Sequence, residues 1–385
     1  MKKIGMGLVG PGFIAAHHID AVRRLGDVEV IAIAGSNMTS TKKKAKELKV
    51  DVAYDNFEDL IADPRIDVIH NTTPNHMHTR VSMAAIDAGK HIISDKPLAL
   101  TSQETMALCN AAALKGVANV VTFNYRGNPL VQQMRHMIAS GELDELVYLH
   151  GQYLQDWMTD PYVYSWRMDP EKGGKSSALA DIGSHWCDLV EHVSGLRIES
   201  VLADISTTVK VRYSSGASAE AFTKEHPAET TPKQVTGEDL GCVLLRFDNG
   251  ARGVLKVGQV LPGHKNDLQL EINGRARSLR WEQERQNQLW IGSHDSANSV
   301  MDKDPSLMST DARRYAHLPA GHHESWSDAF CNVIADAYYW IRNDAAPAEK
   351  PPTICDFAGG HRVCCIIEAM LNSYEQGGVW TRVRE

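Results

Sequence analysis

Residues 4–15 read IGMGLVGPGFIA: a short apolar run that enters Gly-Pro-Gly and then opens an amphipathic stretch. That order predicts a buried strand over 4–9, a sharp turn, and a helix over 15–24. In this setting G-x-G-x-x-A is a dinucleotide fingerprint. Gly10 permits the tight turn, Gly12 lets backbone amides approach a pyrophosphate at the helix N-terminus, and Ala15 keeps the helix close to the sheet. Phe13 and Ile14 complete the turn. The same spacing also serves a plain strand-to-helix turn. Met1-Lys2-Lys3 has the look of a short signal peptide, but no A-x-A-like cleavage site follows, so the start reads as a first strand.

Working outward, strands are expected over 28–34, 67–71, 91–94 and 117–123, with helices over 41–48, 57–62, 76–88 and 102–115. Strands separated by helices imply right-handed crossovers and a parallel sheet covered on both faces. After Asn124 the texture changes. A helix over 129–140 leads to a long strand over 145–156, then the polar, aromatic loop PYVYSWRMDPEKGGKSS (161–177) and a helix over 181–194. Beyond residue 200, antiparallel strands with turn signals at Asn249-Gly250 and Asn273-Gly274 dominate. Helices over 326–342 and 357–374 close the chain. The expectation is a doubly wound α/β domain over 1–124 and an α+β domain over 125–385 built on a large, mainly antiparallel open sheet. A length of 385 residues suits two domains.

Composition narrows the class. Apolar residues at 43% and charged residues at 23% are ordinary globular usage, which excludes disordered and fibrous chains. A net charge of −8 argues against non-specific nucleic-acid binding. No window approaches the ~18 apolar residues of a membrane span. Seven cysteines without a C-x-x-C pair suggest reduced thiols in a cytoplasm rather than a disulfide framework.

Ligands of a doubly wound sheet bind at the carboxyl ends of its strands. The second strand ends Ala34-Gly35-Ser36-Asn37, without the carboxylate that selects NAD; Ser36 can donate to a hydroxyl or a phosphate, and Lys42, Lys43 and Lys44 lie nearby. NAD and NADP both stay open. Thr73, Pro74 and Asn75 follow the third expected strand, with His78 beyond, and Asp95-Lys96-Pro97 follow the fourth. Proline after Lys96 biases that residue away from helix and holds it at the sheet edge. Further on, Asp181 and His185 are four apart, so a helix beginning here sets them on one face. A carboxylate beside an imidazole suits proton transfer near neutral pH. No cluster has metal-ligand spacing. Gly174-Lys175-Ser176 resembles the tail of a P-loop, but the leading glycine would fall at Asp169, so that motif is absent. Trp157, Tyr162 and Tyr164 could stack on a pyranose face or pack a core.

With GPGFIA (10–15), TTPNHMH (72–78), AGKHIISDKP (88–97), YSWR (164–167) and ADIGSHWCDL (180–189), the chain resembles the glucose–fructose oxidoreductase / inositol dehydrogenase / rhizopine catabolism (Gfo/Idh/MocA) family. YLQDW (153–157) followed by SWR is similar to its levoglucosan dehydrogenase branch. Two departures stand out: Asp95 replaces the family's Glu before Lys-Pro, and Lys175 replaces a glycine after Gly173-Gly174. The resemblance implies a Rossmann domain, an open sheet that mediates a homodimer or homotetramer, and NAD(P)-linked oxidation of a secondary alcohol on a sugar, glycoside or cyclitol. It implies that Lys96 bridges the nicotinamide ribose and a substrate hydroxyl, Asp181 positions substrate and imidazole, and His185 takes the hydroxyl proton. Trp166 and Arg167 would close over the cofactor; Asn124 joins the cofactor contacts, and Tyr153 the substrate contacts. Separately, the run LPAGHHESW (318–326), polar and aromatic before a helix, could form a pocket wall with His322 meeting a sugar hydroxyl, or be a helix start with ordinary surface histidines. Two alternatives use the same residues differently: a glycosidase with tightly bound NAD working by transient oxidation, elimination and re-reduction, and a non-catalytic dinucleotide sensor.

Overall fold

The computed structural model describes residues 3–215, 229–343 and 350–385. It divides into two compact units: Met1–Asn124 with Phe330–Cys364, and Tyr125–Ala329 with Cys365–Glu385. The break after Asn124 lies where the sequence texture changes. The stretch Phe330–Cys364, however, packs with the first unit, whereas the sequence reading runs the second domain unbroken to 385.

The first unit is a six-stranded parallel sheet. Its strands are β1 (Ile4–Val9), β2 (Val28–Ala34), β3 (Val52–Tyr54), β4 (Val68–Asn71), β5 (His91–Ser94) and β6 (Asn119–Val121), in the order β3-β2-β1-β4-β5-β6. The crossover helices are α1 (Ala15–Leu25), α2 (Met38–Leu48), α3 (Phe57–Ala62), α4 (Asn75–Asp87) and α5 (Ser102–Lys115). β1 and β4 are buried almost throughout, as strands covered on both faces must be. Capping explains the helix starts. Asn37 and Asn56 accept the amides of Ser40 and Asp59, and Thr101 with Glu104 forms a reciprocal capping box. β3 is the strand the sequence reading lacks; three half-buried residues at a sheet edge leave no periodic signal.

A nine-stranded sheet organises the second unit. Helix α6 (Pro129–Ala139), strand β7 (Leu146–Leu154), the short α7 (Pro170–Gly173) and α8 (Ser184–Ser194) come first. Then follow β8 (Ile198–Ser206), β9 (Val211–Ser214), β10 (Thr231–Gln234), β11 (Leu240–Phe247), β12 (Arg252–Gly258), β13 (Asp267–Gly274), β14 (Arg277–Glu282), β15 (Gln288–Ser293) and β16 (Ser299–Asp302). The chain ends with α9 (Thr310–Arg313), α10 (Trp326–Arg342), α11 (Phe357–Glu375) and β17 (Thr381–Arg382). The large sheet runs β16-β15-β14-β13-β7-β12-β11-β8-β17, and β9 and β10 pair separately. Every adjacent pair in it is antiparallel except β7 with β12. β11 alternates buried and exposed residues, so one face meets the core of Trp186, Leu189 and Val190 from α8. Among the described residues, no helix is long and apolar enough to cross a membrane.

The first unit also buries three polar rings that no motif announces. His18 Nδ1 lies 2.8 Å from His70 Nδ1, and His70 Nε2 lies 3.0 Å from the Tyr338 hydroxyl. Burial pushes His18 down to about 4 and His70 well below the ordinary imidazole range, so both rings stay neutral. The unfolded His18 titrates near 6.5, so between pH 6.5 and 4 the unfolded chain binds the extra proton and stability falls as pH falls. The urea midpoint should decline across that window, by on the order of 3 kcal/mol for His18 alone. In His18→Leu the decline should be shallower; an identical slope would refute the assignment.

Candidate active site

In the first unit, strand order reverses between β1 and β4, the place where ligands of such sheets bind. Gly10 sits there with φ +89, and a Cβ on it would lie 2.7 Å from both the N and Cα of Thr73. Only glycine meets both demands. The Thr72 hydroxyl donates to Gly10 O at 2.7 Å and Val9 O at 3.0 Å, and the Thr73 hydroxyl donates to Asn71 Oδ1 at 2.7 Å. A Cβ on Gly12, by contrast, would meet nothing within 4 Å. The fold does not require glycine at 12, and the space beside it lies at the start of α1. That helix begins with Ile14 at the cap, no side-chain cap and no acidic residue in its first turn, while Phe13 stands exposed beside it. Its positive end therefore suits an anion such as pyrophosphate.

The other expected cofactor contacts divide in two. Ser36 and Asn37 are exposed after β2, with the Asn37 carbonyl oxygen engaged in capping α2. Pro74 and Asn75 open α4. Asp95 Oδ1 accepts the Thr122 hydroxyl at 2.9 Å, and half-buried Lys96 is joined to Pro97 by a cis peptide bond. Asn124 is buried, and its Nδ2 meets no acceptor among the described residues. A bound group carrying an acceptor would satisfy it. His78 departs from expectation. Its Nδ1 faces Pro97 O at 2.7 Å and its Nε2 faces Thr73 O at 2.8 Å, so both ring nitrogens are engaged by backbone. Rather than offering itself to a ligand, His78 ties the loop after β4 to the loop after β5. Burial lowers its pKa, opposed by Asp95 and the two carbonyls.

In the second unit, residues 179–194 are helical, but Leu179–Gly183 forms a π turn before α8. Such turns recur at functional sites because they re-aim side chains. A buried carboxylate outside the helix secures this one. Glu238 Oε1 accepts the Ser176 hydroxyl and the amides of Ser177 and Leu179, at 2.7, 2.9 and 2.8 Å. Burial outweighs these donors and raises the Glu238 pKa. Asp181 sits on the π turn, with Gln259 Nε2 donating to Oδ2 at 2.8 Å and Arg167 Nε 3.5 Å from Oδ1. The Arg167 guanidinium lies over Trp166 at 4.6 Å and Trp157 at 6.0 Å. His185 is buried at the start of α8, with the Tyr125 ring edge-on at 5.1 Å and the Tyr153 ring at 6.1 Å.

These tyrosines close a ring of hydrogen bonds. Tyr153 donates to Asn266 Oδ1 at 2.7 Å, Asn266 Nδ2 donates to the Tyr125 oxygen at 3.2 Å, and the two hydroxyls lie 2.6 Å apart. Burial raises both phenols, Tyr153 well above its ordinary value. Tyr153, an expected substrate contact, has its hydroxyl engaged within the protein and its ring beside His185. For His322 the sequence leaves a substrate contact and an ordinary surface histidine open. His322 is exposed and pairs with Ala320 O in its own loop, where buried Glu324 accepts the amides of His317 and Leu318 and pairs with Lys303. That loop's polarity serves the fold. Tyr162 stacks on Tyr213, and Tyr164 packs against a small core of Met158, Met168 and Val235.

Sequence reasoning missed Tyr125, Gln155, Glu238, Gln259 and Asn266. Gln155 was within reach, two positions beyond Tyr153 in a strand-like alternation. Nothing local marks the others. Among the described residues, no three His, Cys, Asp or Glu side chains gather as a metal site.

A parallel sheet with a glycine turn at its order reversal, followed by a unit carrying an acid and an imidazole on one helical start, defines a dinucleotide-binding oxidoreductase. Residues 4–123 match the model of the oxidoreductase family with an NAD-binding Rossmann fold, and residues 131–280 match the GFO/IDH/MocA C-terminal domain. The chain belongs to the Gfo/Idh/MocA family. It is 31% identical over 301 residues to levoglucosan dehydrogenase of Pseudarthrobacter phenanthrenivorans, covering 76% of each chain. It is 28% identical to 1,5-anhydro-D-fructose reductase of Ensifer adhaerens over 60% of this chain and 71% of that protein. Among solved structures, levoglucosan dehydrogenase in complex with NADH and L-sorbose superposes with a TM-score of 0.89 at 26% identity over the whole of both chains. An inositol dehydrogenase homologue complexed with NAD+ from Azotobacter vinelandii gives 0.85 at 25% identity, over 99% of this chain and 97% of that one.

The two glycines should separate experimentally. Gly10→Ala should destabilise the fold by about 1–3 kcal/mol through strain and overpacking. Gly12→Ala should leave the melting temperature near that of the parent while weakening NADH binding at least about tenfold, as read by nicotinamide fluorescence. Equal melting temperatures for both variants would contradict the geometry.

Proposed function

We propose that this protein oxidises a secondary alcohol of a sugar, glycoside or cyclitol, with NAD or NADP as hydride acceptor. The observation that carries the reading is the π turn and the start of α8, where Asp181 is held between Gln259 and Arg167 and His185 is framed by two tyrosines. The names of the relatives, levoglucosan dehydrogenase and 1,5-anhydro-D-fructose reductase, support a carbohydrate substrate.

Gly10, Gly12, Phe13 and Ile14 would hold the pyrophosphate. Ser36 and Asn37 would take the adenosine ribose, and Thr73, Pro74, Asn75, Asp95 and Asn124 the remainder of the dinucleotide. When bound, its nicotinamide ring supplies the electrophilic carbon that accepts hydride. Removing hydride from a carbinol leaves a hydroxyl proton that needs a base. His185 Nδ1 is buried, so Nε2 is the atom assigned to take that proton. Asp181 accepts a substrate hydroxyl and sets its orientation. The Lys96 ammonium steadies the reacting oxygen as charge develops on it. No carboxylate follows β2 to exclude a 2′-phosphate, which supports use of either dinucleotide.

We assign the uncovered face of the nine-stranded sheet, where Tyr148 and Leu244 stand exposed, to contact between copies in a homodimer or homotetramer. Light scattering should then give a mass of two or four chains, and a monomer would overturn the assignment. The thiol content fits a reducing cytoplasm.

Lys96→Met and His185→Ala should each retain dinucleotide binding. Turnover should fall by about 10²–10⁴-fold, the usual weight of a positioned acid or base. The assay is NAD(P)H production from a panel of levoglucosan, D-glucose, D-xylose and myo-inositol. Undiminished rates in both variants would reject these roles.

A further inference from the structure

Gln259 lies just beyond β12, at the centre of a chain of side-chain amides whose direction can be read from chemistry. The Trp157 indole is a donor only, and its Nε1–H reaches Gln155 Oε1 at 3.0 Å. That contact makes the other end of Gln155 the amino group, which donates to Asn266 Oδ1 at 3.0 Å. Gln259 Nε2 then faces two acceptors, Asp181 Oδ2 at 2.8 Å and Gln155 Oε1 at 3.4 Å. Neither neighbour could donate to an oxygen placed there, so the group facing Asp181 is an NH2.

The rest of Gln259 is immobilised. The residue is 1% exposed, its amide donates to Asp239 O at 3.0 Å, and its carbonyl accepts the Met158 amide at 3.1 Å. Asp239 is itself fixed, accepting the amides of Thr208 and Val209. Gln259 Oε1 meets no donor among the described residues, so no described bond at the oxygen end fixes the amide. The side chain is anchored through the nitrogen aimed at Asp181.

We propose that Gln259 is a positioning residue of the reaction: its N–H holds the Asp181 carboxylate in the ionised form and in one rotamer. Arg167 secures the opposite oxygen, and Trp157 fixes the orientation of the amide chain through Gln155. The role of Asp181 rests on the function proposed above, but the coupling of Gln259 to the Asp181 carboxylate does not.

The test uses two near-isosteric variants and a readout independent of turnover. Gln259→Leu removes the donor, and Gln259→Glu replaces it with a second carboxylate beside Asp181. Two carboxylates at this separation raise each other's apparent pKa. With 13C-labelled aspartate, and Asp181→Asn to assign the signal, the Asp181 carboxyl should titrate at least about one pH unit higher in Gln259→Glu. In Gln259→Leu it should move upward by less. With the best substrate of the panel, Gln259→Leu should lower kcat/KM about ten- to hundredfold, the loss of a hydrogen bond to a charged group, without weakening NADH binding. In Gln259→Glu the acidic limb of the pH–rate profile should follow the carboxyl signal. An unshifted Asp181 titration in both folded variants, checked by thermal melting, would overturn the proposal. A shifted titration in an enzyme that turns over no sugar would support the coupling and reject the function.

Discussion

Two backbones touch where the parallel sheet reverses its order: Gly10, in the left-handed region, lies against the main chain of Thr73. No side chain fits between them. The Thr72 hydroxyl bonds the same loop, and His78 carries the connection onward to Pro97, so three loops at the carboxyl ends of β1, β4 and β5 are locked by contacts to backbone. The first unit therefore presents Lys96, Thr73 and the start of α1 from main chain that is held in place. A site built this way loses little order when its ligand leaves.

The second unit reaches the same end through buried polar groups. Each unpaired polar group in a core costs about 1–3 kcal/mol, so a cluster of them is tolerated only when it closes on itself. Tyr125, Tyr153 and Asn266 form such a ring, and Glu238 satisfies the donors at the start of the π turn from outside the helix. Between these two fixtures stand Asp181 and His185. The phenols, raised by burial, form walls beside the imidazole.

Legibility followed locality. The helix over 102–115 could be delimited from its capping box, and the turn at Asn249-Gly250 from its residue types, because the interactions that create them lie within four positions in sequence. β3 was not legible, since a three-residue edge strand is defined by its partner β2. The return of Phe330–Cys364 to the first unit was equally hidden. A helical period reports which face is apolar, not which core will cover it. In the run 318–326, likewise, composition does not show that Glu324 is buried and paired with Lys303 while His322 stands exposed.

From sequence alone came the class: the crossover alternation, the glycine turn, Lys96 before proline and the Asp181–His185 spacing are local patterns that hold in any packing of the chain. Tertiary structure decided what each of these groups faces. Tyr153 and His78 carry hydrogen-bonding atoms that a one-dimensional reading can offer to a ligand, yet residues from 5 to 113 positions away had already engaged them. Gln259 and Glu238 gained their roles the same way, by meeting residues 78 and 59–62 positions distant. Hydrogen bonds are short-ranged and directional, so whether a polar group is free to act depends on its neighbours in space, and the fold alone supplies those.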